Sequence, residues 1–120
     1  MSYPVVSYVV TLDIKMNLSD PLNDTGFQCS KYITAKSKGG EWLTLYFLDP
    51  AQPDLDDSWN DSIKQGVKYC AEQDFPIVID LLRNETTEWE VIAMGQPGKN
   101  GYAKCRLIFE TATELAGEGE

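Results

Sequence analysis

A chain of 120 residues is long enough for one domain with its own core. It has no apolar run near the roughly 18 residues of a membrane helix, and its first residues lack the basic flank and apolar block of a signal peptide, so a soluble cytoplasmic protein with no membrane partner is expected. With no His and three scattered Cys against a net charge of −9, the sequence excludes His-based acid–base chemistry, most zinc sites and Ser/His or Cys/His nucleophiles; no cofactor, metal or catalytic residue is expected, and the chain does not read as an enzyme.

Residues 5–16 alternate, with Val6, Tyr8, Val10, Leu12, Ile14 and Met16 on one face, and read as a long half-buried strand. Residues 17–26 are dense in turn formers and form a loop. Residues 27–38 alternate again, with Phe27, Cys29, Ile33 and Ala35 inward and Tyr32, Thr34 and Lys36 outward; Lys31 falls on the wrong face, which marks a bulge or strand end. Gly39 and Gly40 close a hairpin onto residues 41–48, where Leu43, Leu45 and Phe47 face the core and Trp42, Thr44 and Tyr46 face outward.

An acidic, proline-punctuated connector follows, leading to a helix expected over residues 58–73: Ser58 and Asp61 have capping-box spacing, and Trp59, Ile63, Val67 and Cys70 form an apolar stripe. Residues 77–83 and 88–94 then read as two strands of a second hairpin, turning at residues 84–86. After a glycine-rich loop at residues 95–101, a last strand places Ala103, Cys105, Leu107 and Phe109 inward and Tyr102, Lys104 and Arg106 outward. The domain is expected to span residues 1–110, with residues 111–120 a flexible acidic tail.

This order, three strands, a helix and three strands, resembles the OB-fold, with bacterial and phage single-stranded DNA-binding proteins the nearest likeness. In those a Glu-Trp followed by alternating apolar residues opens the third strand, as Glu41-Trp42-Leu43-Thr44-Leu45-Tyr46-Phe47 does here. The resemblance implies a mainly β protein: an OB-like antiparallel barrel of five to six strands with one helix between strands 3 and 4, binding oligonucleotides on its outer face. A curved α+β sheet carrying one helix is the structural alternative. The chain supplies one strand more than the minimal barrel, and its tail lacks the apolar tip through which the bacterial proteins dock their partners.

The outward residues combine aromatic rings with cations: Tyr32, Lys36, Lys38, Trp42, Tyr46, Lys99, Tyr102, Lys104 and Arg106. Unpaired bases stack on such rings while Lys and Arg follow the phosphates. The expected partner is therefore single-stranded DNA, with RNA not distinguished from it. Nine of the nineteen acids lie in residues 49–61 and 110–120, leaving ten acids against ten bases elsewhere, so a local basic surface is compatible with the net charge. Trp59 is read as core, and Trp89, flanked by Glu88 and Glu90, is left out of the site.

Two other readings stand beside this one. Exposed aromatics also serve dimer interfaces, which would make the protein a homo-oligomer. Alternatively, the acidic connector and tail imitate nucleic-acid phosphates, making the protein a small inhibitor or DNA mimic that occupies a protein partner's basic cleft.

Overall fold

The computed structural model describes residues 2–50, 52, 55–98 and 100–111, except for the side chains of Asp13 and Ile14. The strands are β1 (Ser2–Ser19), β2 (Gly26–Ser37), β3 (Trp42–Leu48), β4 (Ser58–Asn60), β5 (Gln65–Ala71), β6 (Thr87–Ile92), β7 (Ala103–Lys104) and β8 (Arg106–Thr111). One α-helix, α1 (Phe75–Asn84), follows a 3₁₀ turn at Glu72–Asp74. The eight strands form one sheet in the order β7-β4-β5-β3-β2-β1-β6-β8.

The two ends of that order are neighbours in the chain, since only Cys105 separates β7 from β8. One stretch bonds first to β4 and then, past Cys105, to β6, so the sheet returns on itself as a nearly closed barrel. Two hydrogen bonds tie the seam: Cys105 N donates to Asp57 O at 3.1 Å, and Lys68 Nζ donates to Leu107 O at 2.9 Å. A mainly β barrel with a single helix is therefore the fold, as the sequence led us to expect.

Inside the barrel, Ile33, Ala35, Leu43, Leu45 and Phe47 from β2 and β3 meet Leu107, Val78 and Leu82. Tyr3 stacks between the buried rings of Trp59 and Trp89, with centroids 5.1 and 5.4 Å away. Both tryptophans are fully buried. Helix α1 turns Val78 and Leu82 to this core and sets Phe75 edge-on against Phe47 at 5.0 Å.

The placement of the helix is a correction. Residues 58–71 form β4 and β5 joined by a turn, with Asn60 Oδ1 accepting from Ser62 N and Ile63 N and with Lys64 at φ 55°. Residues 77–83, expected as a strand, belong to α1, so the expected second hairpin does not exist. Helix α1 follows β5 rather than strand 3, β3 and β5 pair in parallel, and the strand count exceeds six through the short β4 and β7. The irregularity expected at Lys31 lies across the ladder, in β1 between Leu12 and Met16. Residues 112–120 of the expected tail lie outside the described residues. Among the described residues, no helix is long and apolar enough to cross a membrane.

Candidate functional site

Register places the outward residues of β1, β2, β3 and β5 in three rows. Ser7, Lys36, Trp42 and Gln65 share the first, Val9, Thr34, Thr44 and Val67 the second, and Thr11, Tyr32, Tyr46 and Tyr69 the third. Neighbouring strands lie about 4.8 Å apart, so the members of each row are cross-strand neighbours on one face of the sheet. Ser58 of β4 and Lys104 of β7 extend the second row.

The rows floor a groove of about 550 Å³, whose far wall carries Pro21 and Tyr102. That wall forms because two loops meet: Asn100 Nδ2 donates to Pro21 O at 2.7 Å and to Asp24 Oδ1 at 3.4 Å, while Gly98 N donates to Tyr102 O at 2.7 Å within the second loop. Gly101, at φ 83°, permits the tight turn that swings Tyr102 back over β4.

The third row is the rigid end of the groove. Tyr46 stacks on Tyr69 at 5.9 Å, leans on Tyr32 at 5.4 Å and receives the edge of Phe27 at 5.1 Å. Phe27 and Cys29, expected in the barrel core, belong instead to this second cluster, with Leu18, Leu48 and Leu55. Tyr69 is anchored from below, its hydroxyl donating to Oδ1 of the buried Asp20 at 2.6 Å. Burial pushes the Tyr46 phenol up to about 12 and raises those of Tyr69 and Tyr102, Asp20 adding to the effect at Tyr69. The phenols are therefore neutral at physiological pH, so they do not repel an anionic ligand.

At the open end, Trp42 is half-buried and the Lys36 ammonium lies over its ring, 5.5 Å from the centroid. Of the nine residues singled out from sequence, Tyr32, Lys36, Trp42, Tyr46 and Tyr102 line this groove. Lys38 is exposed in the turn after β2, next to the Trp42 end. Lys104 is exposed on β7 and ion-paired with Asp56 at 3.5 Å. Arg106, on β8, pairs in register with Ile92 of β6 and does not line the groove. Lys99 lies outside the described residues.

Sequence reasoning missed Val67 and the supporting Tyr69, because residues 65–71 were read as helix; their alternation as a strand was the available signal. It also missed Met16, Leu18 and Pro21, which reach the groove through the curl of β1 and the loop after it.

Although the protein carries a net charge of −9, the groove is lined by one cation and, among the described residues, no carboxylate. The nearby acids are engaged elsewhere: Asp57 accepts from Tyr69 N at 3.1 Å and pairs with Lys68 at 3.3 Å. Among the described residues no cluster of His, Cys, Asp and Glu has the arrangement of a metal site. No family model, curated protein or solved structure matches the chain.

Proposed function

We propose that the groove binds single-stranded DNA with little sequence preference and performs no chemistry on it. The observation that carries this reading is the juxtaposition of Trp42, Tyr32, Tyr46 and Tyr102 with Lys36 in one groove free of lining carboxylates. Rings offer a sequence-tolerant surface to every base, at about 1–3 kcal/mol per stacked base. Hydroxyls of Thr34 and Thr44 lie between the two aromatic ends and suit polar base edges or sugars.

Trp42 and the Tyr32/Tyr46 row are four residues apart along β3, or about 13 Å. A stacked strand advances about 3.4 Å per nucleotide, so at most about four nucleotide steps join the two stations. With Lys36 over the Trp42 ring, Lys38 in the adjoining turn and Lys64 paired with Asp61, about two phosphate contacts are expected and a salt slope of only about −1.4. The three cysteines are free thiols, as suits a reducing cytoplasm.

The phosphate-mimic reading gains less from the geometry, because Asp56 and Asp57 of the connector are tied to Lys104, Lys68 and a backbone amide. Fluorescence titration tests the proposal. Trp59 and Trp89 are fully buried, so a quenchable signal reports Trp42. Oligo-dT should quench it, with affinity rising steeply with length to about five nucleotides and a hairpin duplex having little effect. No binding at low salt, or equal quenching by the duplex, overturns the reading.

A further inference from the structure

Among the described residues, the long first strand leaves one edge bare. Strand β2 covers one side of β1 along most of its length, whereas β6 covers the other side only at Ser2, Tyr3 and Pro4. Four of the seven exposed large apolar residues among those described follow in this strand: Val6 (61% exposed), Val9 (59%), Val10 (36%) and Leu12 (69%). Proteins normally blunt such an edge with Lys, Pro or a bulge. Here Pro4 lies before the bare stretch, the bulge between Val5 and Ser7 falls at its first residue, Val6, and residues 2–12 carry no charge.

The stretch is also self-complementary. From residue 6 to residue 12 it reads Val-Ser-Tyr-Val-Val-Thr-Leu, apolar and polar positions in a pattern that is the same in either direction. We propose that β1 is a dimer seam, in which residues 6–12 pair antiparallel with the same residues of a second copy about a two-fold axis at Val9. Val9 then faces Val9 of the second copy, Tyr8 faces its Val10, Val6 faces its Leu12 and Ser7 faces its Thr11. Every apolar residue meets an apolar one and the two hydroxyl residues meet each other, so exposed strand polar groups and apolar area are satisfied together.

The window is bounded on both sides. At residue 5 the edge passes to β6, and after Leu12 the β1 ladder is interrupted before Met16. A two-fold pairing centred on Val9 sets residue 5 opposite residue 13, so both limits are reached together. Because the contact is isologous it closes at two copies and builds no fibre. Net charge also favours this segment: two chains of −9 repel, and an uncharged stretch is the surface on which they approach at least cost. A seam of seven residues per chain is a small contact, so a weak dimer with a Kd on the order of 10–100 μM is expected. Added salt tightens it by screening the repulsion, the opposite of its effect on phosphate contacts. Val9 also lines the groove, so the seam brings the grooves of the two copies edge to edge.

Sedimentation velocity on the full chain tests the seam independently of any nucleic acid. Between about 1 and 500 μM, the weight-average mass should rise from 13.5 kDa toward twice that value, more readily at higher salt. Leu12→Lys, at an exposed position of the monomer, should raise the Kd about ten-fold or more by burying an unpaired ammonium, while Ile77→Lys on α1 should leave it unchanged. Register is read by Val9→Cys: directly opposed residues lie about 4.5–5.5 Å apart, within disulfide range, so oxidation should give a covalent dimer. A wild-type chain that stays monomeric throughout, or a Leu12→Lys dimer as tight as wild type, overturns the seam; a dimer that Val9→Cys cannot cross-link overturns the two-fold at Val9.

Discussion

Lys36→Gln should weaken nucleic-acid binding at low salt and strengthen it at high salt. In the free protein the Lys36 ammonium covers the Trp42 ring at 5.5 Å, a cation–π contact worth about 0.5–1 kcal/mol at such a site. A base stacking on that face must displace it, so removing the charge returns about that much to binding. The displaced ammonium in turn meets a phosphate and adds about 0.7 to the salt slope, which at 50 mM relative to 1 M is about 0.9 log units, or about 1.2 kcal/mol. At 50 mM the variant should therefore bind about two-fold more weakly than wild type. The two effects cancel at about 0.1–0.3 M salt, and above that the variant should bind more tightly. Trp42 fluorescence titrations with oligo-dT at five salt concentrations give both lines. Parallel lines would show that Lys36 meets no phosphate, and lines that never cross below 1 M would show that its ammonium does not compete with a base.

Two further outcomes concern the scaffold. A Cβ at Gly66 would lie 2.6 Å from Cε3 of Trp59 and 3.1 Å from Cδ1 of Leu43, and Trp59 is held by Tyr3 and cannot yield. Gly66→Ala should cost about 1–3 kcal/mol in urea unfolding, and an unchanged midpoint would contradict the packing of that ring. Burial pushes the Cys70 thiol up to about 11 and the Cys105 thiol up to about 12, from an ordinary 9.0. The unfolded chain loses these protons first, so their stabilisation is intact below about pH 9 and is lost as pH rises toward 11–12. The urea midpoint should fall across that window, and at pH 8 both partly buried thiols should react with a disulfide reagent more slowly in the folded than in the unfolded chain.

Strands β2 and β3 were legible because each buries one face and turns the other to the groove, so their period of two survives in the sequence; β1 alternates as well, although Val6, Val10 and Leu12 of its apolar face are exposed. Residues 58–71 misled because Trp59, Ile63, Val67 and Cys70 also fit a helical stripe. Gly66 argued against a helix interior, and Asn60-Asp61-Ser62 had the chemistry of the turn that forms there. The converse error fell on α1. Its run Ile77-Val78-Ile79 is β-branched, yet Phe75, Val78, Ile79 and Leu82 have helical spacing, and Pro76 sits where a helix starts rather than where one breaks. In the groove, Trp42, Tyr32 and Tyr46 were found by alternation alone, whereas Tyr102 needed two loops to meet over β4. The basic half was less legible: Lys104 and Arg106 share the outward parity of Tyr102, but parity does not say where a strand changes partners, and β7 gives way to β8 between them.

That exchange of partners at Cys105 also sets an order of events during synthesis. Tyr3 finds Trp89 nearly ninety positions later in the chain, and β4 and β6 both wait for residues 103–111. Until that stretch leaves the ribosome the growing chain is an open ribbon with two unpaired rims, and contacts so distant in sequence form slowly once all parts are present. A stalled or truncated chain ending before Cys105 would expose both rims at once, making it a substrate for chaperones and proteases rather than a smaller version of the same barrel.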